Sequence, residues 1–169
     1  TTTITSSINP TSFGQATILT AMVTSSTSIT PTGTITFNEG SLVLGTASLV
    51  NGIATLNISN LSVGSHNINA SYSGNGNFTG STSSIITQVV QQATATVGLT
   101  SSINPSVYGD PIVLNASVTI TSGSATPTGT IAFFDGTTLL GVSPLTAGTA
   151  SITLTDLSVG THSLIAVYS

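Results

Sequence analysis

The chain is written twice. Ser6-Ser7-Ile8-Asn9-Pro10 returns as Ser101-Ser102-Ile103-Asn104-Pro105, Phe13-Gly14 as Tyr108-Gly109, and Pro31-Thr32-Gly33-Thr34 as Pro127-Thr128-Gly129-Thr130. Leu61-Ser62-Val63-Gly64 returns as Leu157-Ser158-Val159-Gly160; each copy is followed by one histidine, His66 or His162, and then by Tyr72-Ser73 or Tyr168-Ser169. The spacing is 95 residues ahead of the Pro-Thr-Gly-Thr motif and 96 after it, so the second copy holds one inserted residue between. A unit of this length fits one β-sandwich of about 100 residues.

Inside each copy, clusters of Gly, Pro, Asn and Ser cut the chain into short segments whose apolar residues alternate with hydroxyls and amides. Period two is the pattern of a strand with one buried face, and no segment sustains a helical period. Matching the copies assigns the inward set: Leu19, Ala21 and Val23 with Leu114, Ala116 and Val118; Ile35 and Phe37 with Ile131 and Phe133; Ala54, Leu56 and Ile58 with Ala150, Ile152 and Leu154; His66, Ile68, Ala70 and Tyr72 with His162, Leu164, Ala166 and Tyr168. The expected fold is all-β: two tandem sandwiches over residues 1–91 and 93–169, joined with little slack around Gln91–Thr94.

The motif order is Phe/Tyr-Gly, Pro-Thr-Gly-Thr, Phe-x-x-Gly, Leu-Gly, Leu-Ser-x-Gly-x-His, Ala-x-Tyr-Ser. It resembles the bacterial Ig-like repeat domains of large surface proteins, and the resemblance spans both copies. It implies a seven-stranded immunoglobulin-like sandwich, used in tandem arrays as stalks, adhesins or filament parts. Fold alone names no ligand. Two departures stand out. Asn38-Glu39-Gly40 in the first copy faces Phe134-Asp135-Gly136 in the second, and the second copy stops at Tyr168-Ser169.

Composition narrows the function. There is no Lys, Arg, Cys or Trp, and the only acids are Glu39, Asp110, Asp135 and Asp156. Without cations the chain cannot neutralise phosphates, which argues against a nucleic-acid partner. No stretch approaches the roughly 18 apolar residues of a spanning helix. A surface of hydroxyls and amides with only 2% charged residues lacks the repulsion that keeps proteins apart, so it needs another solubilising layer or is meant to associate. Absence of trypsin sites suits an extracellular or cell-surface setting.

No constellation for catalysis or a cofactor emerges. Ser is abundant, but nothing places a base and an orienting acid beside it. His66 and His162 sit just after a corner, apart from any cluster of acids in sequence, and are expected to be structural. Glu39 and Asp135 are matched turn residues in separate copies and cannot share a calcium ion, which wants several carboxylates; they are expected to be solvated. The Asn-x-Ser/Thr sequons Asn57, Asn60, Asn69, Asn77 and Asn115 fall on outward or loop positions, where attached glycans would supply the missing hydration.

Two features point to assembly. Ser81–Gln91, with Ile85, Ile86, Val89 and Val90, reads as the last strand of the first sandwich, and the second copy shows no counterpart within the sequence. A sandwich short of that strand exposes a groove and an unpaired edge, the template for donor-strand complementation. The candidate donor is either the amino-terminal segment of a neighbouring copy (Thr1, Thr2, Thr3, Ile4 and Thr5, within Thr1–Ser7), although these residues also match the opening strand of the second copy, or, if the sequence is cut from a longer array, the stretch that follows Ser169. In addition, Thr36, Asn38, Asn69 and Ser71 are replaced by Ala132, Phe134, Ile165 and Val167 at outward positions of two strands expected to be neighbours. A contiguous apolar patch marks an interface. The expected function is a non-enzymatic structural subunit of an extracellular filament or surface array, assembling head to tail with copies of itself or with neighbouring array domains. The rival reading is an adhesin or carbohydrate-binding stalk module, which the scarcity of exposed aromatics disfavours.

Overall fold

The structure, a computed structural model, describes residues 1–169 throughout. It contains strands and turns and no helix. The chain divides into two compact units, Thr1–Gln92 and Ala93–Ser169. Unit 1 holds β1 (Thr2–Ser6), β2 (Thr11–Ser12), β3 (Thr17–Val23), β4 (Thr34–Glu39), β5 (Leu42–Ser48), β6 (Ile53–Ile58), β7 (Gly64–Tyr72), β8 (Ser81–Thr82) and β9 (Ile86–Gln91). Unit 2 holds β10 (Thr94–Ser101), β11 (Ile112–Ser122), β12 (Thr130–Asp135), β13 (Thr138–Pro144), β14 (Thr149–Leu154) and β15 (Leu164–Tyr168).

Unit 1 is a sandwich of a three-stranded sheet, β1-β3-β6, and a larger sheet in the order β2-β9-β7-β4-β5, with β8 also paired to β7. The inward residues read from the alternation make its core: Leu19, Ala21, Ile35, Phe37, Ile68 and Ala70 are wholly shielded. The Leu, Ile and Phe side chains among them each contribute about 1.5–3 kcal/mol by leaving water. The register is antiparallel almost throughout, Ile4 facing Ala21 and Ala21 facing Ala54, so one face of each strand stays in the core along its length. The one parallel contact joins Thr11 of β2 to Val90 of β9.

Unit 2 repeats the same two sheets with fewer strands, β10-β11-β14 and β13-β12-β15. Local devices recur at matched positions. A bulge falls between Phe37 and Asn38, and again between Phe133 and Phe134. The Tyr72 hydroxyl donates to Thr32 O and that of Tyr168 to Thr128 O, both at 2.6 Å. That bond ties the end of β7 or β15 to the Pro-Thr-Gly-Thr turn. Gly33 is required there: its φ is +118°, and a Cβ would meet Gly74 O at 3.2 Å and the Tyr72 ring at 3.3 Å.

The units differ in how fully they close. In unit 1, fourteen apolar residues are buried in one cluster; in unit 2 only eight are. Leu164, Ala166 and Tyr168 occupy the places of the shielded Ile68, Ala70 and Tyr72, yet they are only half-buried. On the facing sheet Val97 and Leu99 are likewise less covered than the buried Thr2 and Ile4 they match. These are the surfaces that β8 and β9 cover in unit 1.

Candidate interaction site

The groove of unit 2 is best read against the same place in unit 1. There β9 lies antiparallel to β7, from Gly64 opposite Val90 to Ile68 opposite Ile86. Three groups hold its backbone from the other side: Asn9 Nδ2 donates to Thr87 O at 2.7 Å, Val89 N donates to Asn9 Oδ1 at 2.9 Å, and Phe13 N donates to Gln91 O at 2.8 Å. Val90 is buried, and Gln88 is 0% exposed. A buried amide is costly unless satisfied. Ser6 Oγ donates to Gln88 Oε1 at 2.6 Å, and Gln88 Nε2 donates to Ile8 O at 3.1 Å.

In unit 2 the matched elements surround a cleft of about 490 Å³. Its walls include Ser101, Asn104, Ser106 and Ile112 on one side and Leu157, His162 and Leu164 on the other. In unit 1 the corresponding space, against Thr11, Thr17, Leu61 and Val90, leaves no water-sized room. β15 pairs with β12 alone, so its other edge faces this cleft. β7 runs from Gly64, but β15 begins only at Leu164. The reason is local: Gly64–Asn67 pair with β9 and with no other strand, whereas Ile68–Tyr72 also pair with β4. Gly160–His162 therefore have no ladder to join, while Ser163 is held from the β12 side, its O accepting from Gly136 N at 2.9 Å and its N donating to Asp135 Oδ1 at 3.0 Å.

The second surface is the outer face of β13-β12-β15. Ala132 stands opposite Val167 and Val142, and Phe134 opposite Ile165 and Leu139. Cross-strand partners share a face, so six apolar side chains form one patch across three strands. Ile165, Val167, Leu139 and Val142 are 44%, 47%, 54% and 56% exposed. The matched face of unit 1 presents Thr36, Asn38, Thr46, Asn69 and Ser71, with Val43 the single apolar residue.

The family of the chain follows from its two halves. The bacterial Ig-like domain (group 3) family matches residues 4–91 and 99–169. The chain belongs to this bacterial Ig-like family. Curated proteins yield no match. Among solved structures, the fibronectin(III)-like modules of CbhA from Clostridium thermocellum are similar at 19% identity and a TM-score of 0.43, over 99% of this chain and 86% of that one. The D0-D1 domain of intimin is similar at 17% identity and a TM-score of 0.38, over 100% of this chain and 90% of that one.

Within this bacterial Ig-like pair, both histidines belong to a clasp at the corner. His66 Nδ1 meets Glu39 Oε1 at 2.8 Å and its Nε2 meets Ser62 O at 2.8 Å; His162 Nδ1 meets Asp135 Oδ2 at 2.6 Å and its Nε2 meets Ser158 O at 2.8 Å. This corrects the expectation that Glu39 and Asp135 are simply solvated, and gives each corner histidine one carboxylate partner. Each turn carboxylate reaches across the sheet edge to the ring, a contact between residues 27 apart that sequence adjacency cannot show. The His162 pKa is raised above its ordinary value of 6.5, by the Ser158 carbonyl first and the Asp135 side chain second. No group of three or more His, Cys, Asp or Glu gathers to hold a metal ion.

The other candidate residues are placed as follows. Asn57, Asn60, Asn77 and Asn115 are exposed, whereas Asn69 is half-buried and its Oδ1 accepts from Asn38 Nδ2 at 3.4 Å. Thr2–Thr5 of the candidate donor segment lie in β1, paired with β3 of their own unit; Thr2 and Ile4 are buried there. Phe134 is only half-buried, and the more exposed aromatic is Tyr108, 69% accessible on the rim of the cleft. Gln88 escaped the sequence reading. Its neighbours Val89 and Val90 drew attention to themselves, but the inward register runs through Ile86, Gln88 and Val90. The signal available was alternation itself, since counting back by two from Val90 to Ile86 puts Gln88 on the inward face.

Proposed function

We propose that this chain is a non-enzymatic structural segment of a bacterial extracellular or surface protein that assembles through unit 2. The observation that carries the reading is the apolar patch on β13-β12-β15. Unit 1 builds the same sheet with polar residues outside, so the fold does not require apolar ones there. Exposing them has a solubility cost that only an occupant removes. The occupant proposed is the same face of a second copy. Two sheet faces pack about 10 Å apart over apolar side chains, and with no Lys or Arg anywhere, no like-charge repulsion between cations opposes the approach. Face-to-face pairing alone closes into dimers. An extended array needs a second, directional contact, for which the groove beside β15 is available to a donated strand.

The test converts the patch to unit 1's own residues with Ala132→Thr, Phe134→Asn, Ile165→Asn and Val167→Ser. Analytical ultracentrifugation should show concentration-dependent association of the parent chain and none for the variant, with both giving the same β-type circular dichroism. A parent chain that stays monomeric across the micromolar range, or a variant that associates equally, refutes the reading.

A further inference from the structure

We infer that the corner clasp of unit 1 is a proton-keyed latch on that unit's last strand: β9 stays fully seated only while a shared proton lies between His66 and Glu39.

Hydrogen-bond supply sets the condition. A carbonyl oxygen and an ionised carboxylate can only accept. His66 Nε2 faces Ser62 O and Nδ1 faces Glu39 Oε1, each at 2.8 Å. Both contacts are therefore bonds only when the ring and the carboxyl together hold two protons. A neutral ring beside an ionised carboxylate brings one, and a nitrogen lone pair then meets an oxygen lone pair. His66 is buried, so water does not relieve that clash and the ring must shift. No other group can take the proton's part. Apart from β4, the strands packed on β7 are β1, β8 and β9; neither they nor the corner Ser59–Val63 carry an acidic or basic side chain. The Tyr72 hydroxyl, further along β7, donates to Thr32 O, and the Thr1 amino group donates to Thr24 O. The same wiring recurs at His162, whose pKa the Ser158 carbonyl and the Asp135 side chain raise.

What the ring secures is β9. Thr87 O and Val89 N turn away from β7, toward Asn9. Alternation then turns the Gln88 N–H and C=O toward His66, its register partner. The Gln88 side chain continues the line to Ser6 Oγ at 2.6 Å and Ile8 O at 3.1 Å. Glu39, His66 and Gln88 thus connect β4, β7, β9 and β1. Gly64–Asn67 pair with β9 and with no other strand, so a shift of the ring within that segment is passed to β9.

NMR on the full chain tests this. In a titration from about pH 5 to about pH 9, the His66 ring and the Gln88 and Val90 amides should share one midpoint. Protection of those two amides from exchange should fall about tenfold across it, the loss of one charge-assisted hydrogen bond. Glu39→Gln offers an amide N–H to the neutral ring, so β9 should stay seated and the fall should disappear. Asp135→Asn, which alters the matched clasp of unit 2, should leave the response of Gln88 and Val90 in place. A His66 transition that Gln88 and Val90 ignore, protection independent of pH, or the same fall in Glu39→Gln would each overturn the inference.

Discussion

At the turn between β5 and β6 the two repeats answer one backbone demand differently. Asn51-Gly52 and Ala147-Gly148 both turn with two positive φ angles, 52° and 77° in one, 49° and 79° in the other. That is the geometry of a two-residue hairpin loop that favours Asn-Gly. Asn tolerates the left-handed region, whereas a Cβ with no local hydrogen bond costs about 1–2 kcal/mol there. Ala147→Asn should therefore stabilise unit 2 by about 1 kcal/mol, and Asn51→Ala should destabilise unit 1 by a similar amount; calorimetric melting of each variant checks both signs. The corner clasp gives a second prediction at this scale. The His162 pKa is raised in the folded state, so its clasp with Asp135 and Ser158 stabilises fully below about pH 6.5 and fades as pH climbs through the raised value. The unit 2 melting temperature should fall between pH 6 and pH 9, and Asp135→Asn should flatten that fall. A pH-independent melt in the parent would contradict it.

Strands were legible in the sequence wherever one face is buried and the other wet. Leu19-x-Ala21-x-Val23 and Ile35-x-Phe37 showed their inward sides because the core admits only apolar groups at those places. β9 was legible as an element and not in its register, because its most buried residue is an amide satisfied by Ser6 and Ile8, which apolar alternation cannot reveal. The outward patch was visible for the opposite reason. With the inward residues of β12 and β15 matched between repeats, the difference at Ala132, Phe134, Ile165 and Val167 had no core explanation. Leu139 and Val142 complete the patch but needed the bulge at Phe133/Phe134 to be assigned, since it shifts the register of β13 by one residue.

Across the whole molecule, shared motifs do not give shared solidity. Unit 2 buries eight apolar residues in its cluster and unit 1 fourteen. Leu99, Leu145, Leu157, Leu164 and Tyr168 still pack half-buried against the smaller cluster, so each loses only part of the about 1.5–3 kcal/mol of full burial, yet several such parts count against the 5–15 kcal/mol net stability of a domain. Amide hydrogen exchange should therefore be faster through β11 and β12 than through the matched β3 and β4; equal protection would contradict the difference in closure. The histidine clasps were the part of the site least open to sequence reading, because a carboxylate 27 residues from its ring is a product of sheet topology.

The four residues Gly160–Ser163, strand-like in one repeat and not in the other, carry a practical consequence. The Ser163 amide already donates to Asp135 Oδ1 at 3.0 Å, so by strand alternation the amides that turn toward the groove are those of Gly160 and His162. The molecule thus holds its own reporter: two backbone protons that trade with deuterium when the groove is open and stop doing so when a strand lies in it.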